Sequence, residues 1–327
     1  MKILIIQTAF IGDVILATAV AEKLHQKYPD AQIDFTLRKG NEGLLTGHPF
    51  INTVFVWDKK QNKIKNLFLL SKQIRSNKYD TVVNLQRFSS SGILAGFSGA
   101  KEIIGFDKNP LSFLFTKKIK HEIGNEKHEV ERNQQLIESI TNADASKPKL
   151  YPSKKNKDAV ESYKNSQYVC LAPTSVWFTK QYPKEKWVEL CNQTSPSLII
   201  YLLGAPGDSA ACDWIKNNST NKNIINLAGK LNFLESAALM SNAEMNFVND
   251  SAPMHIASAM NAKTTAIFCS TVPSFGFGPL ADDSIIIETK EQLDCRPCGL
   301  HGHKACPKGH FKCGFSIETI ELLKRIS

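Results

Sequence analysis

Short apolar segments alternate with longer amphipathic segments through most of the 327-residue chain. Apolar runs of about four to eight residues predict buried strands, and apolar positions that repeat every three or four residues predict helices. The strands predicted in the first half are residues 2–7, 32–37, 53–57, 81–85 and 103–106. The helices predicted there are residues 13–27, 64–76 and 89–98. This alternation favours a parallel sheet flanked by helices.

A polar, lysine-rich stretch at residues 142–158 interrupts the pattern, and we interpret it as a linker. Beyond it, the predicted strands are residues 168–172, 198–203, 224–227, 245–248 and 264–268, and the predicted helices are residues 184–194, 208–217 and 233–240. The chain is also longer than one ordinary domain. We therefore predict an α/β protein with two doubly wound, Rossmann-like domains facing a central cleft, formed by residues 1–150 and 151–327. The last helix is expected to pack back onto the first domain.

The amino terminus and the cysteines favour a cytoplasmic protein. Met1 leads directly into a predicted strand without a signal peptide, and no apolar run is long enough to span a bilayer. Four of the eight cysteines lie in apolar strand or helix patterns, where a thiol behaves as a small hydrophobic group. They are Cys170, Cys191, Cys212 and Cys269. We assign these four to packing.

The excess of basic residues belongs to the first half of the chain. Residues 1–150 contain 22 Lys and Arg against 15 Asp and Glu, whereas residues 151–327 contain 18 against 16. The basic clusters are Lys59, Lys60, Lys63, Lys65, Lys72, Arg75 and Lys78, and then Lys117, Lys118 and Lys120 after the apolar residues 111–115. Cations beside apolar side chains predict contact with an anionic inner-membrane surface, at about 1 kcal/mol per cation. A merely solvated surface remains the alternative, and nucleic acid is not expected because no binding motif accompanies the charge.

The segment from Asn249 to His255 carries the strongest chemical signal. A predicted strand ends there and a helix begins at once, since Asp250 and Ser251 are capping types and Pro253 suits the first helical turn. A helix start carries partial positive charge and free N–H groups, and His255 lies on its first turn. The pattern predicts a site for the diphosphate of a nucleotide. The alternative is that Asp250 or Ser251 only caps the helix and His255 packs.

Two further loops follow the first predicted strand of each domain. In the first, residues 7–14 contain one glycine where a dinucleotide fingerprint needs three, and they lack the Lys-Ser/Thr of a P-loop. Gly12 there permits a tight turn and places Asp13 at a helix start, where it either faces the cleft or serves as an ordinary cap. In the second, Thr174 and Ser175 supply hydroxyls and Lys180 a mobile positive charge, which together suit a pyrophosphate.

Four motifs, in register along the chain, carry a resemblance to a known family. They are Ile11-Gly12-Asp13-Val14, Thr179-Lys180-Gln181-Tyr182-Pro183, Leu227-Ala228-Gly229-Lys230 with Glu235 beyond it, and Asn249-Asp250-Ser251-Ala252-Pro253-Met254-His255. Over nearly the whole chain they resemble the heptosyltransferases of lipopolysaccharide core synthesis, glycosyltransferase family nine. The resemblance implies a GT-B fold, an ADP-heptose donor on the second domain, and a lipopolysaccharide precursor as acceptor on the first.

Carried over residue by residue, the resemblance implies that Asp13 is the general base and Lys180 the partner of the pyrophosphate. The other implied donor-site residues are Thr174, Ser175, Glu235, which contacts the nucleoside, Asp250, Ser251 and His255. This chain departs from the family at Gln181-Tyr182, where Arg-Trp is frequent, and at Ala252, where Gly is frequent. Neither departure removes a proposed catalytic group.

The resemblance therefore implies an inverting transfer of heptose to the inner core of the acceptor. Asp13 would take the proton of the attacking hydroxyl, while Lys180, His255 and the helix start oppose the charge that grows on the departing ADP. No cofactor or divalent ion is expected, because the chain has no Asp-x-Asp motif to hold a metal. Two alternatives remain: transfer of another nucleotide sugar to a different surface glycan, and a nonenzymatic nucleotide-sugar or glycolipid binding module.

The acceptor side and the last cysteines are less distinctive. Gly12 and Asp13, with Arg87 and Arg132, are the predicted acceptor-binding residues, since a guanidinium forms a bidentate fork with a carboxylate or phosphate. Pairing of Arg132 with Glu129 or Glu131 is the alternative. Four cysteines with three histidines nearby could hold structural zinc, but their spacing lacks the second Cys-x2-Cys of a zinc ribbon. They are Cys295, Cys298, Cys306 and Cys313. A regulatory disulfide is the alternative, which we rank below zinc.

Overall fold

A computed structural model of the protein describes residues 1–124 and 126–326, so Asn125 and Ser327 lie outside the described residues. The chain divides into two units, Met1–Tyr151 and Pro152–Ser327. Each unit contains a six-stranded sheet in which every strand pair is parallel. The predicted α/β class with doubly wound sheets is confirmed.

The first unit alternates strands and helices in the order that the apolar pattern predicts. Its strands are β1 Lys2–Ile6, β2 Gln32–Arg38, β3 Ile51–Trp57, β4 Thr81–Asn84, β5 Glu102–Phe106 and β6 Lys117–Ile119. Its helices are α1 Ile11–Lys27, α2 Lys63–Ser76, α3 Ser89–Gly96 and α4 Glu129–Ile137. The strand order β3-β2-β1-β4-β5-β6 reverses direction between β1 and β4. In such sheets, ligands bind beyond the carboxyl ends of the strands at this reversal.

The second unit repeats the same topology. Its strands are β7 Tyr168–Ala172, β8 Ile199–Leu202, β9 Ile224–Asn226, β10 Met245–Asn249, β11 Thr264–Phe268 and β12 Ser284–Glu288. Its helices are α5 Lys154–Ala159, α6 Lys184–Gln193, α7 Ser209–Asn218, α8 Phe233–Met240, α9 Ala252–Ala259, α10 Lys312–Phe315 and α11 Thr319–Leu323. The order β12-β11-β10-β7-β8-β9 places the reversal between β7 and β10.

The structure departs from the sequence prediction mainly at sheet edges and in the linker. Strands β6 and β12, which the pattern did not predict, extend the two sheets at their edges. The predicted linker at residues 142–158 is wrong in its last part, because α5 starts at Lys154. Ser153 caps this helix by accepting a hydrogen bond from the Asn156 backbone, and this cap stabilises a helix made almost entirely of polar residues.

Each unit has its own apolar core, formed by the strands and the inward faces of the helices. The core of the second unit includes three of the four cysteines assigned to packing from sequence, Cys191, Cys212 and Cys269, all with side chains inaccessible to solvent. Cys170 is buried in β7. Helix α11 packs against α6 within the second unit, and its Leu322 belongs to that core. Packing of the last helix on the first domain therefore stays a prediction. No helix in the part of the chain that the structure describes is long and apolar enough to cross a membrane.

Candidate active site

The carboxyl ends of β7 and β10 meet at the strand reversal of the second unit, and a buried asparagine joins them. Asn249 is the last residue of β10 and is inaccessible to solvent. Its Oδ1 accepts a hydrogen bond from the Tyr182 backbone at 2.9 Å, and its Nδ2 donates to the Ala172 carbonyl at 3.2 Å. The loop that follows β7 is thereby held over the end of β10. No role for Asn249 was predicted from the sequence, although a polar residue at the end of a buried strand is a signal of such a bridge.

Lys180 and Asp250, 70 residues apart in the sequence, form an ion pair at this edge of the sheet. The Lys180 Nζ lies 2.6 Å from the Asp250 Oδ2, and both side chains are largely buried. The same carboxylate oxygen accepts a hydrogen bond from the Thr271 hydroxyl at 2.6 Å. An ammonium has three N–H donors, and the contact with Asp250 uses one of them. Asp250 therefore fixes the position of Lys180 while the other two N–H groups of the lysine can still donate to a ligand.

Helix α9 starts directly beside this pair, and side chains do not cap it. Ser251 is its N-cap residue, but no side-chain cap hydrogen bond is formed there in the described chain. The Ser251 hydroxyl instead donates to the Asn249 carbonyl, over 3.4 Å. His255 lies on the first turn and is 6% exposed. The alternative that Asp250 or Ser251 merely caps the helix is thus not what the geometry shows. Pro253 has no N–H and the Met254 N–H donates to the Ser251 carbonyl at 3.0 Å, so an anion at this end of α9 would meet the Ala252 N–H and the positive end of the helix dipole.

The loop that carries Lys180 is fixed on its other side by the cysteine-rich segment near the carboxyl terminus. Thr179 is 1% exposed, and its Oγ1 accepts hydrogen bonds from the His303 backbone at 2.8 Å and from the Ser270 hydroxyl at 2.9 Å. The Thr179 N–H donates to the His303 carbonyl at 3.1 Å. Within the loop, the Gln181 amide donates to the Ser175 carbonyl at 2.7 Å. Lys180 is therefore held through its neighbour as well as through Asp250.

Gly229, from one of the four motifs, and Glu235, a predicted donor residue, both follow β9 in the chain. Gly229, after β9, has a φ of +76°, and a Cβ placed there would lie 2.7 Å from the Pro206 Cα, so only glycine fits this close approach. Glu235 begins α8 in a reciprocal capping box: its carboxylate accepts from the Asn232 backbone at 2.9 Å, and its own N–H donates to the Asn232 side chain at 2.9 Å. The cap fixes the Glu235 carboxylate at the start of the helix. Thr174 and Ser175 are half-buried in the loop after β7.

The four last cysteines line one cavity of about 250 Å³ together with His303 and His310. Cys295 Sγ lies 3.9 Å from the His310 Nε2, and burial raises the pKa of the Cys313 thiol to about 11. Within residues 1–124 and 126–326, no group of three or more His, Cys, Asp or Glu is placed to hold a metal ion. In this structure the segment acts instead through its backbone, which supports Thr179.

In the first unit, Asp13 lies in the first turn of α1, after the loop that leaves β1. Its Oδ2 accepts a hydrogen bond from the Phe10 backbone at 3.1 Å, which holds the half-buried carboxylate at the helix start beside Gly12. The guanidinium of Arg38, at the end of β2, lies 4.6 Å from the centre of the Phe10 ring. Burial lowers the pKa of Arg38, and the charge of Asp13 opposes this effect. Arg38 was not among the residues predicted from the sequence, although it follows an apolar run at the carboxyl edge of the sheet.

Arg132 and Glu129 form a buried pair on α4. The side chain of Arg132 is 1% exposed, its Nε lies 2.8 Å from Glu129, and its Nη1 donates to the Lys127 carbonyl. Burial raises the pKa of Glu129, against the opposing effect of Arg132. This geometry fits the ion-pair alternative for Arg132 better than direct contact with an acceptor. Arg87, which follows β4, is exposed.

Buried amides join the strand ends at the reversal of the first unit. The Gln86 Nε2, after β4, donates to the Gln7 Oε1, after β1, at 2.5 Å. Asn109 then donates to the Gln86 carbonyl at 2.9 Å. All three side chains are buried. These amides fix the loop between β1 and α1, which leads to Asp13, and the loop after β4, which carries Arg87. These two predicted acceptor residues therefore lie at the same edge of one sheet. The sequence alone did not indicate this network.

Comparison with known proteins assigns a family to this arrangement. Lipopolysaccharide heptosyltransferase 3 of Escherichia coli K12 is 29% identical over 285 residues, covering 80% of each chain. A glycosyltransferase family 9 structure from Veillonella parvula matches with a TM-score of 0.87 at 20% identity, covering 99% of this chain and 96% of that one. The E. coli ADP-heptose lps heptosyltransferase II matches with a TM-score of 0.83 at 21% identity, covering 100% and 97%. These two likenesses confirm the predicted GT-B class of fold. The family model for glycosyltransferase family 9 (heptosyltransferase) matches residues 67–305, and the chain belongs to that family.

Proposed function

We propose that this family 9 glycosyltransferase moves heptose from ADP-heptose to the inner core of a lipopolysaccharide precursor, with inversion at the anomeric carbon. The similarity to a lipopolysaccharide heptosyltransferase and to an ADP-heptose heptosyltransferase supports the donor and the acceptor class. The observation that carries the proposal is the Lys180–Asp250 pair beside the uncapped start of α9. We assign the donor to the second unit and the acceptor to the first.

The proposed donor site places the diphosphate of ADP at the start of α9. The Ala252 N–H, the His255 imidazole and the Lys180 ammonium then supply donors, and the helix dipole adds partial positive charge. Asp250 would act through Lys180, because a carboxylate in direct contact with a diphosphate would repel it. The hydroxyls of Thr174 and Ser175 would add hydrogen bonds from the loop after β7. The Glu235 carboxylate, held by its capping box, would accept from a hydroxyl of the nucleoside.

In the proposed reaction, Asp13 takes the proton from the acceptor hydroxyl as its oxygen bonds to the anomeric carbon. The bond from that carbon to ADP breaks on the opposite face, so a single displacement inverts the configuration. Negative charge grows on the departing diphosphate. Lys180, His255 and the helix start are already in place to oppose it, so little reorganisation is needed at the moment of reaction. Protein groups alone provide this stabilisation in the proposed mechanism, which requires no cofactor or divalent ion.

The acceptor is proposed to bind beyond the carboxyl ends of β1 and β4. Gly12 and Asp13 are both half-buried at the start of α1, and the exposed Arg87 can form a bidentate contact with a carboxylate or phosphate of an acidic sugar core. Arg132 would contribute through its pair with Glu129, and we propose that it supports the site from within. Because the acceptor is lipid-anchored in this proposal, we place the enzyme in the cytoplasm, bound to the inner face of the cytoplasmic membrane.

The test is a comparison of nucleotide sugars with a defined, soluble core acceptor. We expect release of ADP from ADP-heptose that depends on the acceptor, together with a product larger by one heptose in mass spectrometry. Heptose transfer with the E. coli heptosyltransferase II serves as a positive control for donor and acceptor quality. Release of UDP from a UDP-sugar without use of ADP-heptose would contradict the proposed donor. Tight ADP-heptose binding without transfer to any core acceptor would favour a binding module.

A further inference from the structure

The outer face of α2 exposes large apolar side chains that the fold of the first unit does not use. One face of the helix is buried through Leu67, Leu70 and Ile74. On the other side, Ile64 is 70% exposed and Phe68 is 65% exposed. These two residues are four apart, so they lie on one stripe of the helix. A solvated helix normally presents polar residues on this face.

This stripe continues into a groove shared with α3. A cavity of about 410 Å³ lies between the two helices, and its apolar lining comes from Phe68, Ile93 and Phe97. Phe97, the C-cap of α3, is itself 53% exposed. Lys72 and Arg75 of α2 also line the groove. The surface is therefore an apolar strip with cations at its side.

The charge on α2 has one sign only. Its 14 residues include three lysines and one arginine, and they include no aspartate or glutamate. Lys65 and Lys72 are exposed and, being seven residues apart, lie on one line of the helix, between the Ile64–Phe68 stripe and Leu69, which is 56% exposed. The second basic cluster predicted from sequence differs, because Lys120 there pairs with Glu122 at 2.5 Å. Helix α2 therefore presents cations, without acidic residues of its own, beside exposed Ile and Phe side chains. Such a helix complements a surface that has anionic groups on the outside and an apolar layer beneath them.

We propose that this α2 surface, formed by Ile64, Lys65, Phe68, Leu69, Lys72, Arg75 and Phe97, docks on an anionic phospholipid bilayer. Ile64, Phe68 and Phe97 enter the boundary between headgroups and acyl chains, while the lysines and Arg75 contact anionic headgroups. The charge complementarity selects the bilayer over a second copy of this chain, since two α2 surfaces would bring like charges together. The inference rests on the proposed use of a lipid-anchored acceptor, and it names the surface that brings the enzyme to it.

The experiment measures cosedimentation of the full chain with vesicles of phosphatidylglycerol and phosphatidylethanolamine, or of phosphatidylcholine alone. Lys65→Gln with Lys72→Gln should weaken binding to the anionic vesicles by roughly 25-fold, since about 1 kcal/mol per cation corresponds to about a fivefold change each. Ile64→Ser with Phe68→Ser should weaken it by about tenfold or more, because two exposed apolar groups lose their burial. The matched controls are Lys155→Gln with Lys157→Gln on α5, and Phe315→Ser, all exposed in the second unit.

We expect the parent and the control variants to bind anionic vesicles, to bind neutral vesicles weakly, and to lose binding at high salt. Equal loss in the α5 controls, or full binding by the α2 variants, would overturn the proposal. A parent dimer in size-exclusion chromatography that Phe68→Ser converts to monomer would assign the surface to a second copy instead. Transfer to a soluble, deacylated acceptor should stay unchanged in the α2 variants. If the parent binds vesicles through α2 but transfers no heptose, the proposed function fails while this inference stands.

Discussion

Lys180→Ala, compared with the double variant Lys180→Ala with Asp250→Asn, separates a structural from a catalytic role of Lys180, because the lysine serves two partners in the proposal. In the structure it neutralises Asp250 at 2.6 Å, and in the reaction it would face the diphosphate of the donor. Lys180→Ala removes both functions. Asp250→Asn removes only the buried charge, since its amide can still accept the Thr271 hydroxyl. The double variant therefore relieves the structural defect without restoring the cation.

The expected loss of stability follows from the burial of the Lys180–Asp250 pair. Asp250 is 6% exposed, and removal of one partner from a buried ion pair costs about 3–5 kcal/mol of stability. The remaining Thr271 hydrogen bond offsets roughly 1 kcal/mol of this. We expect Lys180→Ala to lower the free energy of unfolding by about 2–4 kcal/mol, and the double variant to recover more than half of the loss. For the donor, loss of a charge-assisted hydrogen bond of about 1.5–3 kcal/mol predicts roughly 10- to 100-fold weaker ADP binding in both variants.

Urea unfolding and calorimetric titration with ADP measure the two effects on the same samples. Lys216→Ala, at an exposed position of α7, is the matched control and should change neither quantity. If the double variant recovers ADP affinity together with stability, Lys180 acts only as the counterion of Asp250, and its assignment to the diphosphate is refuted. Unchanged stability in Lys180→Ala would refute the importance of the pair itself.

Three further perturbations test two other parts of the candidate site and a buried histidine, His48, that packs against Phe50 and Tyr151 in the first unit. Thr179→Val leaves the His303 N–H and the Ser270 hydroxyl without their buried acceptor, and should lower stability by about 2 kcal/mol and slow transfer, with Thr179→Ser restoring both. Gly229→Ala combines a left-handed φ with a Cβ 2.7 Å from the Pro206 Cα, so the Tm in a thermal unfolding experiment should fall by several degrees. The control Gly207→Ala, which has open space around its Cβ, should leave the Tm unchanged. Burial, and secondarily His25, lowers the pKa of His48 to about 4, so the neutral form is favoured on folding and stability is lost as the pH falls below about 6.5. Between pH 7 and pH 5, His48→Gln should lose about 2 kcal/mol less stability than the parent in urea titrations; an identical pH dependence would exclude His48 as a cause.

The sheets could be predicted from the sequence because their central strands are continuous apolar runs. Strand β6 could not, since its Lys-Lys-Ile sequence has one apolar residue and it pairs along one side only with β5. Helix α5 was hidden by its polar composition, although the Ser153–Asn156 capping box was a readable signal. Apolar periodicity thus identifies elements that bury a face, and it overlooks short edge elements that local hydrogen bonds stabilise.

Local motifs indicated Asp13, Lys180 and His255, but the sequence did not indicate which residues these side chains contact in the folded protein. The Lys180–Asp250 pair depends on β7 and β10 being neighbours, which is a property of strand order. The support of Thr179 by a segment more than a hundred residues away is equally non-local. Arg132 was predicted as an acceptor ligand on its residue type, whereas its burial beside Glu129 follows from how α4 packs.

The most direct test of the proposed mechanism is the turnover of Asp13→Asn with saturating ADP-heptose and a soluble core acceptor. Asparagine keeps the size of the side chain and an oxygen that can accept the Phe10 hydrogen bond, so folding and ADP affinity should remain close to those of the parent. A general base contributes roughly 10²- to 10⁴-fold, and we predict a fall in kcat of about 100-fold or more. Near-parental kcat with intact ADP binding would contradict the assignment of Asp13 as the base.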